Sequence, residues 1–192
     1  EITTTMEEKT LYTVTVFSEN RVGLLNQISI IFNRRRLNIE TLSVSPSALE
    51  GIHKFTITTY TDLETIQKVV KQIDKRVDIL KAYYNTDSEL VYQEIALYKI
   101  ATDALIEKGS VESLIRKYNI RILEMNDTCV VFEKTGLYDE TQQLFEELSK
   151  TVGVLQFIRS GRVAITRSKV ERLSDMLAEI EETLAQKKSR KK

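Results

Sequence analysis

Leu11-Tyr12-Thr13-Val14-Thr15-Val16-Phe17-Ser18-Glu19-Asn20-Arg21-Val22-Gly23-Leu24-Leu25 joins two periodicities at a glycine. Up to Phe17 the residues alternate, with Tyr12, Val14 and Val16 on one side and Thr13, Thr15 and Phe17 on the other. That is the period of a strand. From Leu24 the apolar residues recur as Leu24, Leu25, Ile28, Ile31 and Phe32, with Asn26, Gln27, Asn33 and Arg34 largely opposite. That is one face of a helix. The stretch therefore predicts a strand, a short turn and an amphipathic helix, with Asn38-Ile39-Glu40 just past the helix.

Working outward, a second strand is expected over residues 37–44. A loop follows over 45–51, holding the only proline, Pro46. A β-rich strand over 52–60 completes a hairpin. Thr61 and Glu64 have the spacing of a capping box, and Ile66, Val69, Val70 and Ile73 mark a second helix. A strand over 77–84 closes the unit. The order β-α-β-β-α-β is the split βαβ, ferredoxin-like motif.

Past the polar stretch Thr86-Asp87-Ser88-Glu89 the order repeats: strand 94–102, helix 110–117, and a hairpin of 120–124 with 129–133 around Asn126-Asp127. A helix over 137–150 then presents Thr141, Leu144, Phe145 and Leu148. A strand over 154–159 follows, with another short one over 162–166 after Ser160-Gly161. The repeat is topological, without useful residue identity between the halves. At the end, Ser168 and Glu171 form a capping box, and Val170, Leu173, Leu177, Ile180 and Leu184 run at spacings of three and four, a narrow apolar seam. Such a helix packs either on its own domain or on another chain. The fold class is thus α+β: two ferredoxin-like βαββαβ domains over 11–86 and 90–167. A disordered segment over 1–10 precedes them, and a C-terminal helix with a basic tail over 168–192 follows. Units this small bury only about 60% of their unfolded surface, so they are expected to pack on partners.

Charge is balanced, 28 basic against 28 acidic residues, which leaves no general footprint for nucleic acid. The basic tail Lys187-Lys188-Ser189-Arg190-Lys191-Lys192 reads as a solvated end. No apolar run reaches the length of a membrane span, and the start lacks the apolar stretch of a signal peptide. The lone Cys129 excludes an internal disulfide framework and reads as a core residue. These features point to a soluble, cytoplasmic protein.

Catalytic chemistry has no visible constellation. His53 sits in a strand, far along the chain from Cys129, a poor nucleophile–base pair. Metal-ligand spacing, G-x-G-x-x-G and a P-loop are absent. Carboxylate pairs such as Glu146-Glu147 and Glu181-Glu182 read as solvated helix faces.

The first turn is different. Glycine lets a ligand approach bare backbone, and a helix start offers unpaired N–H groups and partial positive charge. A carboxylate fits near Gly23, Leu24 and Leu25. Asn20 and Asn38 offer amide oxygens to an ammonium. Val22, Leu24, Leu25 and Ile39 are candidates for an apolar wall. The set suits a small zwitterion such as a free aliphatic amino acid. The competing reading is an ordinary turn glycine with Asn20 as helix cap.

The stretch 14–25 resembles the opening of ACT domains, which bind amino acids as regulators. Through Phe32-Asn33-Arg34-Arg35 and Asn38-Ile39-Glu40-Thr41-Leu42-Ser43-Val44 the likeness narrows to the small, regulatory subunit of acetolactate synthase. Residues 73–81, 94–100 and Arg159-Ser160-Gly161 add to it. The resemblance implies a chain without an active site that activates a large catalytic subunit and confers feedback inhibition by valine or another branched-chain amino acid. Thiamine diphosphate, magnesium and FAD are then expected on that partner, with no cofactor or metal on this chain. It further implies a homodimer through the ACT domain, with Asn20, Gly23 and Leu25 contributed by one chain and Asn38 and Ile39 by the other. Arg36 departs from the family pattern, in which many members carry glycine there. The alternative is a stand-alone ACT-type amino-acid sensor acting on another enzyme or a transcriptional partner.

Overall fold

A computed structural model describes residues 9–108, 111–168, 178–179 and 181–182. The chain divides into two compact units: one runs up to Val91 and includes the stretch from Ala164, and the other is Tyr92–Val163.

In the first unit, β1 (Thr10–Glu19), β2 (Thr41–Pro46), β3 (Ile52–Thr61) and β4 (Ile79–Asn85) form an antiparallel sheet in the order β2-β3-β1-β4. Helices α1 (Leu24–Arg34) and α2 (Leu63–Asp74) cover one face. Tyr12, Val14 and Val16 meet Ile28, Ile31 and Phe32 of α1 and Ile66, Val69 and Ile73 of α2 in a single core. The alternation of β1 is therefore real, yet its other face is buried too, with Thr13 and Thr15 almost fully covered. Lys54 Nζ, on β3, donates to the carbonyl of Ala164 at 2.8 Å.

Several boundaries differ from the sequence reading. β2 starts at Thr41 rather than 37, because within residues 37–40 only Glu40 N–H bonds across to β3, at the Thr58 carbonyl. The cap of α2 is Asp62, whose carboxylate accepts from Thr65 N–H at 2.7 Å, one residue beyond the expected Thr61. The Thr65 backbone and hydroxyl donors hold that carboxyl below its ordinary range.

Helix α1 ends in a Schellman arrangement: Arg36 N–H bonds Asn33 and Leu37 N–H bonds Phe32. Arg36 itself sits at φ 54, where a side chain costs about 1–2 kcal/mol. Arg36→Gly is expected to raise stability by roughly 0.5–1 kcal/mol after the larger entropy of the unfolded glycine is deducted. A calorimetric melt checks this.

The second unit repeats the order. β5 (Leu90–Ala101), β6 (Arg121–Met125), β7 (Cys129–Gly136) and β8 (Gln156–Thr166) pair as β6-β7-β5-β8. Its first helical layer is two short helices, α3 (Thr102–Lys108) and α4 (Val111–Tyr118), of which the sequence suggested only the second. α5 (Tyr138–Thr151) buries Thr141, Leu144 and Leu148. The two short strands expected around Ser160-Gly161 are one strand, with Gly161 at φ 73 inside it. Cys129 is half-buried rather than a core residue. The seam from Val170 to Leu184 lies outside the described residues, as do residues 1–8 of the N-terminal segment.

Candidate functional site

The turn after β1 is fixed by its neighbours. Glu19 N–H bonds the carbonyl of Asp78 at 3.1 Å, and Asn20 N–H bonds that of Gly51 at 2.9 Å. Gly23 then stands at the helix N-cap at φ 83, ψ −4, a conformation glycine adopts at no steric cost. Its carbonyl accepts the first helical bond, from Gln27 N–H at 3.1 Å.

No side chain caps this helix, and its first turn holds no acidic residue. Asn20 is therefore not the cap. Leu24 N–H reaches the carbonyl of Arg21 only at 3.4 Å, and the amides of Leu25 and Asn26 make no backbone bond among the described residues. A Cβ built on Gly23 meets nothing within 4 Å. The space in front of the turn is open, and the glycine is needed for its backbone conformation rather than for room inside the chain. The result is an anion-accepting helix start left without a protein anion.

The four residues expected to form an apolar wall differ in exposure. Val22 is fully exposed and Leu25 is 44% exposed, so both present apolar surface beside the turn. Leu24 is 2% exposed with its side chain in the core, so it can offer only its backbone. Ile39 is half-buried against the same core. Asn38 is exposed, and its amide Nδ2 donates to Glu40 Oε1 at 3.1 Å, leaving its side-chain oxygen without a bond among the described residues.

One chain does not bring the two groups together. The carbonyl of Asn38 accepts from Thr59 Oγ1 at 2.6 Å, and Thr59 pairs with Tyr12, whereas Asn20 follows Glu19, which pairs with Ile52. The span from Tyr12 to Glu19 is seven residues, roughly 23 Å at about 3.3 Å per residue. Asn38 and Gly23 thus lie at opposite ends of the sheet. β2, the strand after Asn38, is an edge strand, and its Leu42 and Val44 share the helix-side face with Ile57 and Phe55 yet are 36% and 42% exposed.

Residues that the sequence does not mark as part of the site support the turn. Arg21 is held by two carboxylates, its Nε and Nη2 each 3.0 Å from Glu19 Oε2 and its Nη1 3.0 Å from Asp78 Oδ1. Arg76 Nη1 donates to Gln27 Oε1 at 2.9 Å. The one signal available was the density of charge in Asp74-Lys75-Arg76-Val77-Asp78, which does not reveal its partners.

Among the described residues no helix is long and apolar enough to cross a membrane. Comparison with known proteins agrees with the architecture. Residues 14–81 match the AHAS small subunit-like ACT domain family, and residues 93–168 match the family described as the small subunit of acetolactate synthase. The acetolactate synthase small subunit of Aquifex aeolicus is 30% identical over 154 residues, covering 80% of this chain and 80% of that protein. That of Bacillus subtilis is 28% identical over 167 residues, covering 86% and 95%. The crystal structure of the Thermotoga maritima acetolactate synthase small subunit superposes with a TM-score of 0.74 at 25% identity, covering 83% of this chain and 99% of that one. With two ferredoxin-like sheets in the same order and relatives matched over most of its length, the chain belongs to the acetolactate synthase small-subunit family.

Proposed function

We propose that this chain is the regulatory partner of a large, catalytic acetolactate synthase subunit, and that it binds free valine or another branched-chain amino acid at the Gly23 turn. The observation that carries the reading is the uncapped, acid-free start of α1 behind an open glycine. The effector's carboxylate takes the free amides of Leu25 and Asn26 at the positive end of the helix. Its ammonium finds the side-chain oxygens of Asn20 and Asn38, and its aliphatic part lies against Val22, Leu25 and Ile39.

Because Asn38 lies at the far end of its own sheet, the second amide comes from another copy. Two chains joined antiparallel along β2 would set the Asn38 end of each beside the Gly23 turn of the other. That arrangement also covers the exposed Leu42 and Val44. A ligand held by both chains reads their relative placement directly. It alters catalysis only through the difference in its affinity for two assembly states, and a coupling of about 1–3 kcal/mol changes affinity about 5- to 150-fold. The chain itself supplies no catalytic group in this scheme. Thiamine diphosphate, magnesium and FAD belong to the large subunit.

Titration calorimetry of the intact chain with L-valine, alongside leucine and isoleucine, tests the site. Saturable heat with one ligand per chain is expected, and silence with all three overturns it. Acetolactate formation by the cognate large subunit is expected to rise when this chain is added and to fall again as valine is titrated in. Light scattering after gel filtration should give twice the chain mass.

A further inference from the structure

We infer that Arg76 and Asp78, on the turn between α2 and β4, are positioning residues for the effector turn, an assignment that rests on the effector reading above. Three links tie residues 76–78 to residues 19–27. Asp78 Oδ1 pairs with Arg21 Nη1 at 3.0 Å, while the Asp78 carbonyl takes Glu19 N–H at 3.1 Å. Arg76 Nη1 donates to Gln27 Oε1 at 2.9 Å, and Gln27 N–H makes the first helical bond to Gly23 at 3.1 Å.

The bracing is reciprocal. The loop sends a guanidinium to the α2–β4 turn, and that turn sends one back to the first turn of α1. None of these side chains is among those expected to touch the ligand.

The bracing element is itself tightly wound. Arg76 N–H bonds Ile73 and Ile79 N–H bonds Arg76 in two successive turns. It continues directly into the core residues Ile73 and Ile79. The braced element is intrinsically loose: it turns on a glycine, which has the most conformational freedom to lose, and carries no capping side chain. A ligand that needs two free amides in one orientation gains affinity when that orientation is set beforehand. The links therefore act on effector affinity through the shape of the turn. A lone exposed ion pair contributes little. Here Arg21 spans two carboxylates, and the Asp78 side chain is only 21% exposed, so the links form a network.

The test uses the intact chain carrying Asp78→Asn or Arg76→Met, each close in size to the original. Valine affinity is measured by calorimetry. Amide hydrogen exchange is followed in the peptide spanning residues 20–27, with the α2 peptide as internal reference. Each variant is expected to weaken valine binding by about three- to tenfold. Exchange should speed up in the 20–27 peptide by at least about threefold while α2 is unchanged. Arg21→Lys, which keeps the charge, should retain most of the affinity that Arg21→Met loses, and added salt should narrow the gap between native chain and Asp78→Asn.

Affinity within twofold of native in both variants overturns the inference. So does exchange that rises equally in α2, which reports general loosening. If the native chain itself gives no heat with valine, the effector reading fails separately. The exchange arm still decides the brace, and unchanged exchange in the 20–27 peptide overturns it.

Discussion

Gly23→Asp is expected to abolish the response to valine while leaving the chain folded. The new Cβ has no neighbour within 4 Å, so the change brings no clash. The left-handed backbone at φ 83 costs a side chain about 1–2 kcal/mol, and aspartate and asparagine tolerate it best. A carboxylate at a helix start returns about 0.3–1 kcal/mol. Net destabilisation is therefore about 1 kcal/mol, visible as a small drop in melting temperature.

Binding suffers far more. The aspartate competes for the same free amides as the ligand's carboxylate. Two like charges about 4 Å apart repel by roughly 4 kcal/mol at an effective dielectric constant near 20. At about 1.4 kcal/mol per factor of ten, affinity falls by roughly a hundred- to a thousandfold. Gly23→Ala carries the backbone strain without the charge and should lose only a few-fold, which separates the two causes. Normal valine titration by Gly23→Asp would remove the turn from the site.

The same variant tests whether the site is shared. Asn38→Ala removes the group supplied by the other end of the sheet, so neither variant alone should bind well. In a mixed dimer of the two, one site receives an intact Gly23 from one chain and an intact Asn38 from the other. After unfolding and refolding together in equal amounts, random pairing into two-fold dimers should restore about a quarter of the native sites. A mixture with no more sites than the separate variants would place both residues in one chain's own site, against the roughly 23 Å that the strand geometry puts between them.

The pair of periods at residues 11–32 was legible because each element is amphipathic on its own and the junction is a glycine. Leu24 and Leu25 show where that legibility stops. Both fit an apolar helical stripe, but only tertiary packing decides that Leu24 enters the core and Leu25 is left 44% exposed. The sequence places the start of β2 too early because residues 37–40 have strand-like composition but only one of the backbone bonds of a ladder.

Helix α3 is not legible because Thr102 follows β5 without any glycine, proline or polar cluster to mark a boundary. Ser160-Gly161 misleads in the opposite direction. A glycine inside a strand reads as an end, whereas here it takes φ 73 and the strand continues through it. For the site, the local residues Asn20 and Gly23 could be read. The ties from Arg21 to Asp78 and from Gln27 to Arg76 could not, because they join charged and polar residues far apart in sequence and leave no periodic trace.

Arg159→Leu is expected to destabilise the second unit strongly. Glu94 is 5% exposed on β5. Its carboxylate accepts from the Thr141 hydroxyl on α5 and faces Arg159 Nε of β8 at 3.4 Å. Arg159 also donates to Gln142 Oε1 at 3.1 Å and to Thr141 Oγ1 at 3.3 Å, with its guanidinium 4.2 Å from the centre of the Tyr138 ring. The Tyr98 hydroxyl, whose acidity burial suppresses, donates to the Thr141 carbonyl at 2.7 Å.

The cluster thus joins two strands and a helix through a buried carboxylate and a mostly covered guanidinium. Removing the guanidinium strands a buried carboxylate, at a cost of about 3–5 kcal/mol. In a unit of this size each kcal/mol shifts the melting temperature by about 4–8 °C, so a drop of at least about 12 °C is expected in a circular-dichroism melt. The double variant Glu94→Leu with Arg159→Leu removes both charges and should recover more than half of the loss. That recovery would assign the penalty to the stranded charge rather than to lost packing. If Arg159→Leu melts within about 3 °C of native, the ion pair is not what holds α5 to this sheet. The stacked rings of Tyr98, Phe145 and Phe157, with centroids 5.1 and 4.6 Å apart, would then carry that role.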